Sequence, residues 1–554
     1  MLRRLLLAAL LLGVGSAATA QEATVDSLLS AYTEGGPSGV VAVYRDGAVL
    51  FAKGYGLADI EGGIPNAPST PYPLASVSKP FTAFAVALLA DRGRLRLDDD
   101  VRAYLPDVPD FGPTITLRHL LHHTSGLREY EDLWLLSGGS RDDVIRREDL
   151  LRLVGRQRGL NHEPGAEYLY TNTGYFLLAE VVARVTGEPF GAWMEANVFG
   201  PLAMGRTHVH DDHTRAVPGR AFSYVPRSDT LERAEMRFDY AGPVGVMSTA
   251  EDLGLWLRNL STAEVGGPGV IRRMEERGLT TSGDTLAYAL GLIVDEHRGL
   301  RRLQHGGFAA GFRTFLAYYP EIDAGVVALG NVGSFNAEGI ASAVAEAFFG
   351  AEMEARGSGE AGPAGSGEHV PDALLDAYAG SYQVENGPRL TVERTEAGLT
   401  GQLEGMGPPF DLVALADTLF RVMIPGVEAS LGFRIEPGGA VEEGTIDQGG
   451  IRMPFHKVLD RAWHPSPDDL AAFAGRYFSP ELETAYIVRV DGDRLVLEHP
   501  RHGEIGLEPR EEAVFQSDAW FLGEVVFERA ASGVVTGMRS TSLRARGLPF
   551  ERRD

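Results

Sequence analysis

A serine and a lysine three positions apart, Ser76 and Lys79, form the best candidate for a nucleophile and its base. Lysine is rare in this chain, since only three of the 51 lysine and arginine residues are lysine. An arginine keeps its proton in a protein, whereas a buried lysine amine can lose its proton. A serine hydroxyl becomes a strong nucleophile only when a neighbouring base takes its proton. The alternative is compositional bias with Lys79 at the surface, which explains the rarity of lysine but not its position.

A helix is predicted to hold this pair in place. After Ser76 an apolar pattern extends from Phe81 to Leu89 and stops at Gly93. Pro80 is tolerated only in the first turn of a helix, which places Ser76 at or beside the N-terminus. Residues at i and i+3 share one helix face, so the hydroxyl and the amine would lie within reach of each other. The positive end of the helix dipole would also favour an alkoxide at this position.

A second element, Tyr170-Thr171-Asn172, directly precedes an amphipathic helix predicted for residues 173–187. A tyrosinate stabilised by a neighbouring ammonium can act as a base, and an asparagine amide can hold a substrate carbonyl. The alternative interpretation is an ordinary aromatic residue at a helix entry beside an asparagine N-cap.

A third element, His305-Gly306-Gly307, ends a predicted strand. Glycines at this place allow a substrate backbone to approach the strand closely. His305 could donate a hydrogen bond or shuttle a proton near neutral pH. Alone, the element is equally typical of a histidine at a strand end followed by a turn.

The surrounding pattern predicts an α/β domain built on an antiparallel sheet. A β-hairpin is expected over residues 38–60, with its turn at Arg45-Asp46-Gly47. Later strands are predicted at 285–295, 301–305, 313–319 and 325–329, followed by a helix at 337–349. Residues 115–260 are mostly helical in pattern. One sheet is therefore expected to join both ends of this region, flanked by helices and interrupted by a helical lobe.

Behind this domain the sequence contains a flexible linker and a duplication. Residues 351–371 are rich in Gly, Ala, Glu, Ser and Pro, which is typical of a linker. Residues 375–382 match residues 470–477 at a shift of 95 positions, and two further matches occur at the same shift. Two small antiparallel β-barrels are therefore predicted, at 372–462 and 463–554. Their size favours interiors filled by side chains, although a bound ligand is an alternative.

Composition and the N-terminus predict an exported protein without a nucleic-acid partner. Residues 1–20 have two arginines, an apolar stretch and a final Ala-Thr-Ala, which is the pattern of a signal peptide. The chain has no cysteine and a net charge of −25, which disfavours nucleic acid and anionic membranes as partners. No later stretch predicts a membrane span. A periplasmic or secreted location is expected, and the sequence leaves the oligomeric state open.

In this order the three elements resemble those of the serine β-lactamase and penicillin-binding-protein superfamily. The resemblance covers about residues 22–350. It extends to segments that share their order with the family, at 115–127, 172–178, 199–204 and 245–253. The layout is most similar to that of D-aminopeptidase-type members, which are related to class C β-lactamases and have two lipocalin-like barrels behind the hydrolase domain. In such members a barrel loop can reach the active site.

The resemblance implies an acyl-enzyme mechanism without a cofactor. Ser76 would be the acylated nucleophile, and Lys79 together with Tyr170 would form the base that activates it. Asn172 would orient the substrate. The backbone N–H groups of Ser76 and Phe308 would form the oxyanion hole. The implied substrates are small molecules or short peptides, including amides with D-residues.

The third element departs from the Lys-Thr-Gly of lactamases and most DD-peptidases. A mostly neutral His305 would hold a substrate carboxylate less well than a lysine, so efficient β-lactam hydrolysis is not expected. His305 joins the catalytic candidates, and Gly306 and Gly307 join Phe308 as the substrate-binding strand.

Several alternatives stay open at this point. A carboxylesterase could use the same site, a β-lactamase or DD-carboxypeptidase is less favoured, and a non-catalytic binding or scaffold protein would work through the barrels. A loop with metal-capable side chains lacks a distant partner, so no metal site is predicted; its residues are His208, His210, Asp211, Asp212 and His213.

Overall fold

The structure is a computed structural model that describes the chain from residue 21 onward, with gaps. The described residues are 21–32, 35–227, 230–354, 370–384, 389–395, 398–403, 409–424, 427–436, 440–448, 451–458, 463–519, 521–542 and 544–553. The predicted signal peptide lies outside them, and so do residues 355–369 of the predicted linker.

The elements are numbered here along the chain. The first fifteen strands are β1 (Gly39–Arg45), β2 (Ala48–Tyr55), β3 (Leu57–Asp59), β4 (Ile64–Pro65), β5 (Tyr72–Pro73), β6 (Ile145–Arg146), β7 (His208–Val209), β8 (Ser223–Arg227), β9 (Thr230–Ala234), β10 (Phe238–Asp239), β11 (Val246–Ser248), β12 (Ile293–His297), β13 (Leu300–Ala309), β14 (Phe312–Tyr319) and β15 (Ala324–Gly330). The remaining strands are β16 (Gly380–Val384), β17 (Arg389–Thr395), β18 (Gly398–Leu403), β19 (Phe410–Ala416), β20 (Leu419–Ile424), β21 (Val427–Ile435), β22 (Val441–Gln448), β23 (Ile451–Lys457), β24 (Gly475–Ser479), β25 (Thr484–Asp491), β26 (Arg494–His499), β27 (Gly503–Glu511), β28 (Val514–Ser517), β29 (Glu524–Arg529), β30 (Val535–Thr541) and β31 (Leu548–Arg552).

The helices follow the same order. They are α1 (21–28), α2 (Lys79–Asp91), α3 (Leu117–Leu121), α4 (Tyr130–Leu136), α5 (Arg147–Gly155), α6 (Asn172–Thr186), α7 (Phe190–Met194), α8 (Ala250–Thr262), α9 (Gly267–Met274), α10 (Ala337–Phe349), α11 (Asp372–Tyr378) and α12 (Pro467–Ala471). Short 3-10 or π turns occur at Ser30–Tyr32, Ala75–Ser78, Val101–Ala103, Glu195–Phe199 and Pro320–Ile322. Within the described residues, no helix is both long and apolar enough to cross a membrane.

Two compact units make up the chain. Unit 1 comprises Met1–Leu105, Thr116–His122 and Gly174–Glu360, and unit 2 comprises Pro106–Ile115, His123–Thr173 and Ala361–Asp554. The segment with Tyr170 and Asn172 therefore belongs to the same unit as the C-terminal barrels.

Unit 1 is built on a six-stranded antiparallel sheet in the order β12-β13-β14-β15-β1-β2. Strand β1 pairs with β15 along its whole length, from Gly39 opposite Gly330 to Arg45 opposite Ala324. The N-terminal hairpin turns at Asp46 and Gly47, both with positive φ (52° and 72°), as a tight hairpin turn requires. The prediction of one sheet that joins both ends of the domain is confirmed.

Helices cover both faces of this sheet because side chains alternate along each strand. On one face Val41 and Val43 pack into an apolar cluster with Val344 and Phe349 of α10. On the other face Tyr44 donates a hydrogen bond to the carbonyl of Ala250 at the start of α8, at 2.5 Å. The sheet is thus a rigid platform for the residues at its edges.

The predicted strand at 285–295 is wrong in its first part. Strand β12 covers only Ile293–His297, and residues 285–292 are irregular apart from isolated bridges at Thr285 and Tyr288. Gly291 has a φ of +71° and lies so close to the Lys79 carbonyl that a Cβ there would meet it at 2.8 Å. The chain must bend around the start of α2, and this long-range constraint overrides the apolar pattern.

The barrels of unit 2 confirm the duplication. Strands β16–β23 close one eight-stranded antiparallel barrel, and strands β24–β31 close a second. The Tyr382 hydroxyl donates to the Tyr378 carbonyl at 2.8 Å, and the Tyr477 hydroxyl donates to the Phe473 carbonyl at 2.7 Å, an identical contact 95 residues later. In the first barrel a cluster of buried apolar side chains occupies the interior among the described residues.

Candidate active site

Ser76 lies in a tight turn at the entrance of a buried helix. The residue before it, Ala75, has a φ of +49°, which is an unusual conformation for a residue with a Cβ. A 3-10 turn from Ala75 to Ser78 then leads into α2, with Pro80 in its first turn as predicted. Ser76 is half-buried, whereas the helix residues from Lys79 to Leu89 that follow it are buried. Strained backbone of this kind is often found where a nucleophile is presented.

Lys79 is fully buried against this turn. Its Nζ donates to Ser76 Oγ at 3.0 Å and to the Pro243 carbonyl at 3.1 Å. The ring of Tyr175 lies beneath the amine, with its centroid 5.7 Å from Nζ. Burial of this kind disfavours the charged form of an amine. The nucleophile and base predicted from the sequence are thus in direct contact.

Neighbouring strands anchor the turn on both sides. The Val246 N–H donates to Ser78 Oγ at 3.0 Å, and the Leu74 N–H donates to the Val246 carbonyl at 2.9 Å. On the sheet side, Thr314 Oγ1 donates to the Leu74 carbonyl at 2.7 Å. The backbone of the turn is therefore bonded to β11 and to a side chain of β14, which fixes the direction of the Ser76 side chain.

His305 lies inside β13 with both ring nitrogens engaged. Its Nδ1 is 2.6 Å from the Gly306 carbonyl, which can only accept, so Nδ1 carries the proton. Its Nε2 is 3.0 Å from the Tyr288 hydroxyl and accepts from it. Burial, with the charge of Lys79 as a further cause, lowers the pKa of His305 to about 3.

This protonation state differs from one sequence expectation. A proton shuttle near neutral pH needs a histidine pKa near 7, whereas His305 is neutral throughout that range. Only the hydrogen-bonding role expected for His305 fits its surroundings. The histidine also offers no positive charge to a substrate carboxylate.

Gly307 is the point where β13 approaches the nucleophile turn. A Cβ at this position would collide with the Leu74 carbonyl and Thr314 Oγ1 and would lie 3.2 Å from the Cβ of Ala75. At Gly306 the nearest atom would be 3.7 Å away, in ordinary contact. The next residue, Phe308, is 63% exposed, and the Arg313 guanidinium lies 5.2 Å from its ring centroid. The oxyanion-hole role of its N–H stays a prediction.

This difference between two adjacent glycines gives a matched pair of variants. Gly307→Ala is expected to lower the free energy of unfolding by about 1–3 kcal/mol, because the backbone carbonyl of Leu74 cannot move aside. It should also slow modification of Ser76 by a fluorophosphonate. Gly306→Ala should leave both properties close to wild type. Urea denaturation and the labelling rate measure the two effects, and equal behaviour of the variants would contradict the close approach.

Tyr170 and Asn172 lie in unit 2, at the entry to α6. The Tyr170 ring packs against His123 in a tilted arrangement, with centroids 4.2 Å apart and planes inclined at 32°. The Thr171 N–H donates to His123 Nδ1 at 3.1 Å, which orients the imidazole. Asn172 is 7% exposed, so its amide is held among polar partners instead of solvent. The elements that place Tyr170 and Asn172 are therefore the 123–130 segment and the start of α6.

Sequence reasoning missed Glu129, the residue that holds Asn172. Its fully buried carboxylate accepts from the Asn172 N–H at 2.5 Å and from Asn172 Nδ2 at 3.2 Å. Thr171 Oγ1 donates to it at 2.9 Å. The available signal was a charged pair, Arg128-Glu129, directly after the segment 115–127. Nothing in that pattern indicated that the carboxylate is buried.

Only some of the metal-capable side chains of the loop at residues 208–213 lie close together in the structure. Ligating atoms of Asp212 and His213 lie within 4.8 Å of one another and of Asp239, a residue that the sequence pattern did not include. These groups already bond to protein atoms, since His213 Nδ1 is 2.7 Å from Asp239 and Asp212 accepts from Thr214. The other candidates of this loop are outside the cluster, and burial lowers the pKa of His208 and of His210 to about 4.

Comparison with known proteins shows which family has this arrangement. The beta-lactamase family model matches residues 25–350, which is more than half of the chain. A D-aminopeptidase of Gluconobacter oxydans is 26% identical over 475 residues, or 84% of this chain and 83% of the relative. A D-aminopeptidase of Brucella anthropi is 27% identical over 537 residues, or 93% of this chain and 95% of the relative.

Solved structures show the same fold. A penicillin-binding protein from Bacillus halodurans is 27% identical with a TM-score of 0.50, covering 59% of this chain and 99% of that one. The octameric penicillin-binding protein homologue from Pyrococcus abyssi has a TM-score of 0.55 at 21% identity, covering 79% of this chain and 99% of that one. The chain belongs to the beta-lactamase family. It is a serine acyl-transfer hydrolase with the layout of the D-aminopeptidase-like members.

Proposed function

We propose that this protein is an exported serine hydrolase that cleaves amide bonds of short peptides or amides, including those with D-residues, through an acyl-enzyme. The observation that carries the proposal is the 3.0 Å contact between Lys79 Nζ and Ser76 Oγ at a buried helix entrance. Relatives named D-aminopeptidase match up to 93% of the chain, which supports this substrate class. The signal-peptide pattern of residues 1–20 supports export to the periplasm or medium.

In the proposed reaction Ser76 Oγ attacks the substrate carbonyl carbon. The base formed by Lys79 and Tyr170 takes the hydroxyl proton and passes it to the leaving amine as the C–N bond breaks. Water then attacks the acyl-enzyme with help from the same base, and the acid product leaves Ser76. The N–H groups of Ser76 and Phe308 stabilise the oxyanion, and Asn172 orients the substrate.

The neutral state of His305 supports an amide substrate that has no carboxylate beside this histidine. A neutral imidazole stabilises a carboxylate less than a lysine does, because it lacks the charge that strengthens the hydrogen bond. Two glycines and an exposed Phe308 follow His305 in the same strand, which suits an apolar group beside the scissile bond. We therefore expect low activity toward β-lactams.

A substrate panel tests this proposal. D-aminoacyl p-nitroanilides are expected to give a kcat/KM at least about tenfold above that of the L-forms, since one wrong stereocentre costs about 1.4 kcal/mol or more in a shaped site. Nitrocefin turnover should be weak. A kcat/KM for p-nitrophenyl esters far above that for every nitroanilide would favour a carboxylesterase instead. No preference for D-forms would contradict the stereochemical part of the proposal.

A further inference from the structure

The turn between β30 and β31 of the second barrel packs against the segment that holds Asn172. The Glu129 N–H donates to the Arg544 carbonyl at 3.0 Å, and Asn161 Nδ2 donates to the same carbonyl at 2.9 Å. The Arg544 N–H and Ser542 Oγ both donate to Asp132 Oδ2, at 3.1 and 2.8 Å. These hydrogen bonds fix the backbone of Arg544 independently of the contacts that its side chain makes.

The Arg544 guanidinium faces three carboxylates of one short segment. It lies 3.8 Å from Glu129 Oε2, 3.5 Å from Glu131 Oε2 and 3.5 Å from Asp132 Oδ1. The three partners differ in exposure, because the side chain of Glu131 is 44% exposed while that of Glu129 is fully buried. An ion pair with a buried carboxylate has a much larger effect than one at the surface.

Glu129 links this charge to Asn172. An ionised carboxylate can only accept hydrogen bonds, so the Asn172 amide must turn its nitrogen toward Glu129 and its oxygen away. A protonated Glu129 could donate as well as accept, and it would no longer enforce this orientation. The charge state of Glu129 thus decides which way the Asn172 side chain points.

Arg544 opposes the effect of burial on Glu129. The pKa of Glu129 is raised above its ordinary value, and burial is the largest cause. Arg544 lowers this pKa, whereas the charges of Glu131 and Asp132 raise it further. The carboxylates in turn raise the pKa of Arg544 despite its burial, and Tyr170 contributes to that shift. His123, which accepts from the Thr171 N–H, is a further titratable group beside this network.

We propose that Arg544 is a positioning residue of the active site: it keeps Glu129 ionised and thereby fixes the Asn172 amide. The inference rests on the proposed function, in which Asn172 orients the substrate carbonyl. Arg544 belongs to the second barrel and lies 412 positions after Asp132 in the chain. Through Glu129 it thus controls Asn172, the group that orients the substrate in the proposed function.

Two other arginines of unit 2 show what a purely structural contact looks like. Arg128 and Glu481 form a fully buried pair at 2.8 Å that joins the second barrel to residues 123–173. Arg546, two residues after Arg544, pairs with the half-exposed Glu167 at 3.0 Å. Neither ion pair involves Asn172, so Arg546→Met is a matched control in the same turn.

The test compares pH profiles of the full-length protein. Arg544→Met is expected to lower kcat/KM for an amide substrate about 10²-fold at pH 7, the size typical of a misplaced site group. Its acid limb should move up by roughly one to three pH units, because Glu129 loses its opposite charge and protonates more readily. Higher pH should recover activity. Arg544→Lys should restore most of the wild-type profile, and Arg546→Met should match wild type.

A second variant, Glu129→Gln, tests the proposal even if Arg544→Met does not fold. This variant should show a lowered kcat/KM without the shifted acid limb, and adding Arg544→Met to it should change little further. A wild-type profile in folded Arg544→Met, an equal loss at every pH from 5 to 9, or wild-type kinetics in Glu129→Gln would overturn the inference. Labelling of Ser76 in the wild-type protein by a fluorophosphonate tests the proposed function separately, since it does not depend on Arg544.

Discussion

Replacing Ser76 by alanine is expected to abolish both substrate turnover and covalent labelling by a fluorophosphonate. Without Oγ no acyl-enzyme can form, and the hydroxyl accepts the 3.0 Å hydrogen bond from Lys79. Loss of a nucleophile of this kind lowers kcat on the order of 10⁶-fold, which corresponds to about 8 kcal/mol of transition-state stabilisation. Intact-protein mass spectrometry should show one label on the wild type and none on the variant.

Ser78→Ala is the matched control, because it removes a hydroxyl from the same 3-10 turn. Ser78 Oγ accepts from the buried Val246 N–H at 3.0 Å, so its loss should lower stability by about 1–3 kcal/mol. Ser76 should still be labelled in this variant, with one label per chain. Undiminished hydrolysis by Ser76→Ala, or labelling that persists at another serine, would show that the nucleophile has been assigned wrongly.

The second large effect is expected from Lys79→Arg. This substitution keeps a positive charge beside Ser76 but removes the group that can give up its proton. Loss of a general base costs about 10²- to 10⁴-fold, so acylation should slow by that factor. Stopped-flow kinetics of labelling measure the step directly, and thermal unfolding checks that the larger side chain has been accommodated at this buried position.

Lys53→Arg provides the control for a lysine-to-arginine change. Lys53 is half-exposed and pairs with Asp26 at 2.6 Å, far along the sheet from the nucleophile turn, so arginine should replace it without effect. A folded Lys79→Arg protein with wild-type labelling kinetics would mean that Tyr170 alone takes the proton from Ser76.

Much of the fold was predictable because local patterns and tertiary structure agree. The helix over 337–349 and the strands at 313–319 and 325–329 lie at or within one residue of the observed elements, and the N-terminal hairpin turns between Arg45 and Ala48 as predicted. The failure at residues 285–292 had a different origin. Gly291 lies directly against the Lys79 carbonyl at the start of α2, and its φ of +71° bends the backbone there.

The candidate site likewise combines features that could be predicted from the sequence with features that could not. The Ser76–Lys79 contact could be predicted since i and i+3 residues always share a helix face. A mostly neutral His305 was expected, but the large lowering of its pKa could not be predicted, because burial of a strand residue depends on distant segments that cover it. The role of Glu129 in holding Asn172 was missed for that reason too.

The sequence by itself determined that a rare lysine stands three residues after a serine at a helix entrance, and that two barrels repeat at a shift of 95 positions. Both features are local or periodic, so the residues that define them are neighbours or copies along the chain. Only the tertiary structure decided which charges are buried together. Arg544 and Asp132 are 412 positions apart, and no spacing rule connects them. Folding alone brings the second barrel against Glu129 and gives that carboxylate its positive partner.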